Sequence, residues 1–331
     1  MRHATPVRIE DVAREAGVAR STAALALKGS PRLRQETVAS VRAAAGRLGY
    51  VYDRLAARLR SGRSGAIGLV VCEITNPFYA ELTAGVQAAL ESSGLVAFLA
   101  NTEESRERQQ LMLERFREQR VDGVLLVPAA GTRPALLDTV ARWGMPCVTV
   151  VRGFRAGAHA GTDHRAGSAM ATRHLIGLGH RHIAYLGAAA DSSTSRQRLA
   201  GYALAMREAG LAARHLPCLS DIGEAASIVA GLPRSGPTAL VCFNDTVAFG
   251  ATVGLARAGR AVGRDVAVTG FDDVRAAAQW HPALTTIRAG AAAIGDAAAR
   301  LLLERIADPA TPTRRVIVAP ELVIRSSCGA A

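Results

Sequence analysis

The sequence predicts a small all-α head joined to an α/β core of two doubly wound parallel-sheet subdomains, and three observations carry that reading. The first is the segment DVAREAGVARSTAALALKGS, Asp11 to Ser30, in which two short apolar-periodic stretches flank Gly17. The second is the alternation, beyond residue 64, of short β-branched or leucine-rich runs with stretches of helix length. The third is charge. Residues 1–64 hold 13 Lys plus Arg against 5 Asp plus Glu, and the rest hold 27 against 23, in a chain of formal net charge +12.

In the head, Val12, Ala13 and Ala16 lie three and four residues apart on one helical face, and Ala23, Ala26 and Leu27 repeat the spacing in a second segment. Gly17 supplies the turn, since without a Cβ it takes the positive φ that a tight reversal needs. This is a helix-turn-helix signature, and it predicts a second helix able to enter a major groove of DNA. Ordinary helical hairpins share the pattern, so the neighbouring features matter. Val38, Val41, Ala45 and Leu48 mark a third amphipathic helix that closes a three-helix module. Beyond it runs DRLAARLRSG, Asp53 to Gly62, arginine-rich and poor in apolar residues, too short to be a stable helix alone. Asp53 is a good cap for it, and a partner surface is needed to order it. The basic excess of this part suits phosphate neutralisation. Arg outnumbers Lys 39 to 1, which reads as a coding bias, so single arginines count for less than the regional imbalance.

The remaining chain is long enough for two cores, and its runs come in order: IGLVV from Ile67, VAFLA from Val96, VLLVP from Val124, CVTVV from Cys147, HIAYLG from His182, LVCF from Leu240 and VAVTG from Val266. Ligands of doubly wound sheets bind beyond the carboxyl ends of strands. Polar residues gather there: Asn76 after the first run, Arg152 after the fourth, Asn244 and Asp245 after LVCF, Asp272 and Asp273 after VAVTG. GTDHRAG, Gly161 to Gly167, reads as a turn-rich crossover between the halves. The predicted pocket is the cleft between them.

Other classes find little support. The sequence has no P-loop and no GxSxG, and none of its eight histidines lies in HExxH. His180 and His182 flank a strand start, where satisfying backbone groups is the simpler role. Cys72, Cys147, Cys218, Cys242 and Cys328 are scattered, odd in number and mostly set in apolar runs, so they read as buried thiols and not as disulfides or metal ligands. No enzyme activity, cofactor or metal is expected. With no apolar N-terminal leader and no uncharged stretch of bilayer length, a cytoplasmic location is expected.

From end to end the chain resembles the lactose/galactose-repressor family of transcription factors. The matching stretches are DVAREAGV, GSPRLRQETV, GRLGY, LAARLRSGRS, IGLVV followed by NPFYAEL, RVDGVLLVP, GTDHRAG, HLIGLGHRHIAYLG, RLAGYALAM, FNDTVAFGA, GFDDV, HPALTTIR and PELVIRSSC, and their order and spacing are highly specific. The resemblance implies a homodimer on a pseudo-palindromic operator, and a periplasmic-binding-protein-like core that senses a small polar effector, a sugar or sugar acid. The implied parts are a DNA-binding domain over 1–52, a hinge helix and linker over 53–64, an N-subdomain over 65–161 with 290–318, and a C-subdomain over 162–289 with 319–328. Base-reading positions fall on Arg20, Ser21, Thr22 and Leu25. The hinge contacts fall on Arg54, Ala56 and Leu59, the leucine acting as a minor-groove wedge.

For the effector, the resemblance implies contacts from Asn76, Phe78, Arg152, Asp163, Arg198, Asn244 and Asp272. Structural roles compete for several of these: Asn76 as the cap of a helix beginning at Pro77, Asp163 as a brace of the crossover. Asp273 in turn reads as an ion-pair partner for a nearby arginine. Departures from the family pattern are also visible. Leu25 stands where Arg is usual, Ala19 and Ala24 replace Ser, and Arg8, Ala19 and Arg34 occupy cap positions usually held by Thr or Ser, a cost of ~1 kcal/mol each where nothing compensates. Val151 replaces an Asp before Arg152, which tilts the effector expectation toward an anion. Alanine at Arg198 or Asp272 is expected to abolish the effector response and to spare DNA binding.

Overall fold

The computed structural model describes residues 7–30, 32–51, 64–189 and 191–329. Two compact units divide the chain, residues 1–63 and 64–331. In the first, helices α1 (Ile9–Glu15), α2 (Arg20–Leu27) and α3 (Gln35–Leu48) pack around Val12, Ala23, Ala26, Val41 and Ala44, all fully buried. Gly17 has φ +64°, and the next residue, Val18, returns its N–H to the Ala13 carbonyl, closing the end of α1. Arg8, Ala19 and Arg34 are the N-cap residues, and none makes a side-chain cap bond. At α1 the loss is partly offset, because Asp11 Oδ2 accepts the Arg8 backbone N–H at 3.0 Å. Asp53, Arg54, Ala56 and Leu59 lie outside the described residues.

The second unit begins with strand β1 (Ala66–Val71) and helix α4 (Pro77–Leu90), followed by β2 (Val96–Asn101), α5 (Arg106–Glu118), β3 (Val124–Leu126), α6 (Ala135–Arg142), β4 (Cys147–Val150) and β5 (His159–Thr162). The strands pair in parallel in the spatial order β2-β1-β3-β4-β5, and a late strand, β11 (Arg315–Val318), adds beside β5. A second parallel sheet has the order β7-β6-β8-β9, from β6 (Ile183–Leu186), β7 (Arg214–Leu216), β8 (Ala239–Cys242) and β9 (Ala267–Thr269). Its helices are α7 (His164–Gly177), α8 (Ser193–Glu208), α9 (Ile222–Ala230), α10 (Asp245–Arg257) and the short α11 (Arg275–Gln279). Strand β10 (Thr286–Arg288) pairs antiparallel with β12 (Glu321–Val323), and α12 (Ala291–Ala307) packs back on the first sheet and α4. Both sheets are doubly wound, the architecture expected from the alternating runs.

Helix contacts in this unit are close because glycines sit at the crossings. A Cβ on Gly85 of α4 would lie 2.0 Å from the Ala292 carbonyl oxygen of α12, and one on Gly295 would lie 2.2 Å from the Leu82 oxygen. Gly201 of α8 stands in the same relation to Arg165 of α7, at 2.2 Å. The segment Gly161–Gly167 corrects the sequence reading. It is no turn-rich loop but the end of a buried strand, a cap residue and the first turn of α7, because small residues let β5 sit between β4 and β11 and Asp163 starts the helix at once. All five cysteines are free thiols, four buried and Cys147 half-buried. Among the described residues no helix is long and apolar enough to cross a membrane.

Candidate functional site

On the head, α2 presents Arg20, Ser21 and Leu25 to solvent, while Thr22 is half-buried beside the core positions Ala23 and Ala26. The helical period explains the split, since the face that meets α1 and α3 leaves the opposite face outward. Arg20 Nε lies 2.8 Å from Glu10 Oε1 of α1. Such an exposed pair adds little stability. It does steer the guanidinium, whose other nitrogens remain available to an acceptor. Leu25 is 42% exposed, an apolar side chain that the head's own core does not use.

In the second unit, the order of each sheet reverses between its first and third strands, β1 and β3 in one, β6 and β8 in the other, which is where doubly wound sheets bind ligands. The two reversal points face one cavity of about 560 Å³. Cys72, Glu73 and Arg152 line it from one side, and Ala188, Cys218 and Phe243 from the other. A narrow inner chamber of about 30 Å³ shares Glu73, Arg152 and Phe243 with it and reaches Asn76, Phe78, Thr194, Arg198, Asn244 and Asp272. Backbone strain collects here. Seven described non-glycine residues have positive φ, and five of them, Glu103, Glu104, Val151, Ala188 and Asp272, line these two spaces. Each such conformation costs on the order of 1–3 kcal/mol, and strain of this kind gathers at ligand sites.

The sequence-predicted contacts are brought together, Asp163 excepted. Asn76 Oδ1 accepts the Phe78 N–H at 3.0 Å, so it caps α4 while lining the chamber. Asn244 caps α10 through Val247 N–H at 2.9 Å and donates to Ser220 Oγ at 2.6 Å. Asp163 is exposed, accepts the Ala166 N–H at 2.9 Å and stands apart from both spaces, so its position fits the crossover brace. Asp273 pairs with Arg288 at 2.9 Å and with Arg325 at 2.6 Å, away from the cavity.

Arg198 is 3% exposed and each of its three nitrogens has a partner: Nε to His164 Nδ1 at 3.3 Å, Nη1 to the Phe243 carbonyl at 2.6 Å, Nη2 to Asp272 Oδ1 at 3.1 Å. Its plane lies 3.6 Å from the Phe271 ring centroid and 4.9 Å from that of Phe243. His164 accepts at Nδ1 and meets the Val151 carbonyl through Nε2 at 3.1 Å, which fixes a neutral tautomer. Burial, with the Arg198 charge beside it, depresses the His164 pKa well below its usual value. Burial also lifts Asp272 to about 6, a shift that the Arg198 charge opposes without cancelling.

Arg152 is engaged as well, holding Glu104 bidentately at 2.7 and 2.8 Å and the Pro128 carbonyl at 3.2 Å. Burial raises the Glu104 carboxyl, but the Arg152 bonds and charge and the Ala130 N–H together outweigh it and hold the group below the usual range. Among the described residues lining the cavity, the anion expected from the sequence therefore meets no unpaired cation. Both arginines are neutralised inside the protein, and Glu73, Glu103, Glu104 and Asp221 line the cavity against Arg152 alone. Sequence reasoning passed over Glu73, Glu104, Asp221 and Thr194. Glu73 and Glu104 follow the ends of β1 and β2 by two and three residues, and the strand-end rule applied to every run would have found them.

Comparison with known proteins agrees with both units. Residues 8–53 match the family described as bacterial regulatory proteins, lacI family, and residues 64–326 match periplasmic binding proteins and sugar binding domain of LacI family. The chain is 33% identical to the maltose regulon regulatory protein MalI of Escherichia coli K12, over 98% of this chain and 99% of that one. It is 34% identical to the HTH-type transcriptional repressor PurR of Photobacterium profundum, over 96% of this chain and 98% of the relative. The structure of the transcriptional regulator CelR in complex with cellobiose superposes with a TM-score of 0.73 at 29% identity, over 97% of this chain and 99% of that one. The helix-turn-helix head, the doubly wound core and these full-length matches together place the chain in the LacI family of bacterial regulatory proteins.

Proposed function

We propose that this protein is a cytoplasmic, homodimeric transcriptional repressor without catalytic activity, whose affinity for a pseudo-palindromic operator is set by a small polar effector in the core cavity. The observation that carries the reading is the coexistence, in one chain, of an outward-facing second helix on a basic head and a strained, polar cavity at the reversal points of two sheets. The relatives named for repression, and the regulator bound to cellobiose, support it. In this reading Arg20, Ser21, Thr22 and Leu25 meet base edges, Arg20 donating to a guanine and Leu25 packing on a thymine methyl. Arg54, Ala56 and Leu59 belong to the hinge, with the leucine entering the minor groove. Residues 65–161 with 290–318 and 162–289 with 319–328 act as the two lobes that the effector bridges, and Asn76, Phe78, Arg152, Arg198, Asn244 and Asp272 form or position its site.

Selection from random duplexes tests the reading. Enrichment of a two-fold half-site pair, with affinity falling steeply as salt rises, is the expected result. Arg20→Ala should relax preference at one base position per half-site, a loss of roughly 1–3 kcal/mol per bidentate contact. A pool with no enriched half-site contradicts the proposal, and uniform weakening across sequences reassigns Arg20 to phosphate.

A further inference from the structure

We infer that the effector is a polyhydroxylated amine, held by its ammonium group against Glu73. The inference rests on the effector-cavity reading above and names the chemical class that this cavity selects.

Charge is the first argument. In a chain of net charge +12, the cavity wall carries four carboxylates and one guanidinium. Three of the carboxylates have work within the protein: Glu103 pairs with Arg108, Glu104 with Arg152, and Asp221 caps α9 through the Glu224 N–H at 2.8 Å. Glu73 has no side-chain hydrogen bond or ion pair among the described residues, although it lines both the main cavity and the inner chamber. A half-buried carboxylate facing only like charge and a guanidinium already spent on Glu104 is a receptor for an external cation.

Two buried polar atoms, neither of them a carboxylate oxygen, also lack a partner here. Thr194 Oγ1, on a residue 3% exposed, has no partner, and it lines the chamber beside Glu73. Arg152 Nε, on a residue 8% exposed, is likewise unpaired and lies between the same two spaces. Buried polar atoms without partners are rare in folded proteins and call for one. A hydroxyl group can accept from Arg152 Nε, and a second hydroxyl or the ammonium can donate to Thr194 Oγ1. Ile74, Leu219 and Phe243 supply apolar wall for the carbon skeleton.

Protonation follows the same logic. Burial first, and the neighbouring Glu104 charge second, raise the Glu73 carboxyl to about 7, with Arg152 opposing and Asp272 and Asp221 adding to the rise. Binding a cation requires the ionised form. Affinity for an amine that stays protonated should therefore climb as pH rises from about 6 to about 8.

A matched set on one carbon skeleton provides the test: glucamine, sorbitol and gluconate, which end in an ammonium, a hydroxyl and a carboxylate, together with glucosamine, glucose and glucuronate. Melting shifts and calorimetry on the full-length protein are the readouts. The amines should bind at least about tenfold more tightly than their neutral partners, as a charge-assisted hydrogen bond implies, with gluconate and glucuronate weakest. Glu73→Gln should erase the preference for the amines and its pH dependence. The ranking in the parent protein decides the matter even if that variant folds poorly. Neutral sugars or sugar acids binding as well as the amines overturn the inference and leave the effector cavity standing. Failure of all six probes overturns the inference together with the sugar-like effector reading, and an undiminished preference in Glu73→Gln removes the carboxylate from the role.

Discussion

Asp272→Ala is expected to destabilise the core by about 3–5 kcal/mol, the usual cost of stripping one partner from a buried ion pair. Asp272 and Arg198 have side chains 5% and 4% exposed, and their bond lies 3.1 Å long inside the chamber. Without the carboxylate the Arg198 guanidinium stays sealed between Phe243 and Phe271 with no counter-charge. The expectation from sequence, that alanine here abolishes the effector response and spares DNA binding by the ligand-free protein, says nothing of stability, and burial adds that cost. Urea unfolding followed by circular dichroism measures the loss. Asp272→Asn keeps an acceptor for Arg198 and should lose less. A change within about 0.5 kcal/mol for the alanine variant would mean that the chamber opens to water and solvates Arg198.

Gly295→Val should also destabilise the core. Its new Cβ would lie 2.2 Å from the Leu82 carbonyl oxygen and 3.0 Å from the Val86 nitrogen, both backbone atoms of α4. Side chains can rotate away from an intruder, but a helix backbone cannot. The α4 and α12 pair must separate, and overpacking of this kind costs typically ~1–3 kcal/mol and occasionally more. Gly46→Ala is the opposite case: the site lies within α3, has no neighbour within 4 Å of an added Cβ and should gain about 0.5–1 kcal/mol. A melting temperature for Gly295→Val equal to the parent's would contradict the close crossing.

Much of this fold is written in the sequence, and the omissions have physical causes. The seven apolar runs are all strands, six of them because buried parallel strands need unbroken β-branched or leucine-rich stretches, whereas β2 is an edge strand that leaves Val96, Phe98 and Leu99 exposed. Four strands leave no such trace, while a fifth, RVIV of β11, carries a short β-branched run outside the seven. HAGT of β5 is small and glycine-containing, RHL of β7 is a three-residue edge, and β10 and β12 are completed only by partners distant in sequence. The site divides in the same way. Residues inside recognisable motifs, such as Arg198, Asn244 and Asp272, converge on one chamber. Whether an arginine is free or already neutralised depends on Glu104, 48 positions away from Arg152, and no local pattern announces that pairing. The expectation of an anion treats Arg152 as free, and that long-range contact pairs it. The exposed face of α2 was legible from the helical period alone, since Ala23 and Ala26 fix the inward direction.

The central claim is that the cavity and the DNA-reading head are coupled. Operator affinity, measured by fluorescence anisotropy with and without a saturating cavity ligand, tests it most directly, using whichever of the six probes raises the melting temperature. The account predicts a change of roughly 5–150-fold in operator affinity, and the same factor in ligand affinity when operator is present, because coupling free energy is reciprocal. A ligand that binds the cavity, is lost on Glu73→Gln and leaves operator affinity unchanged would contradict it.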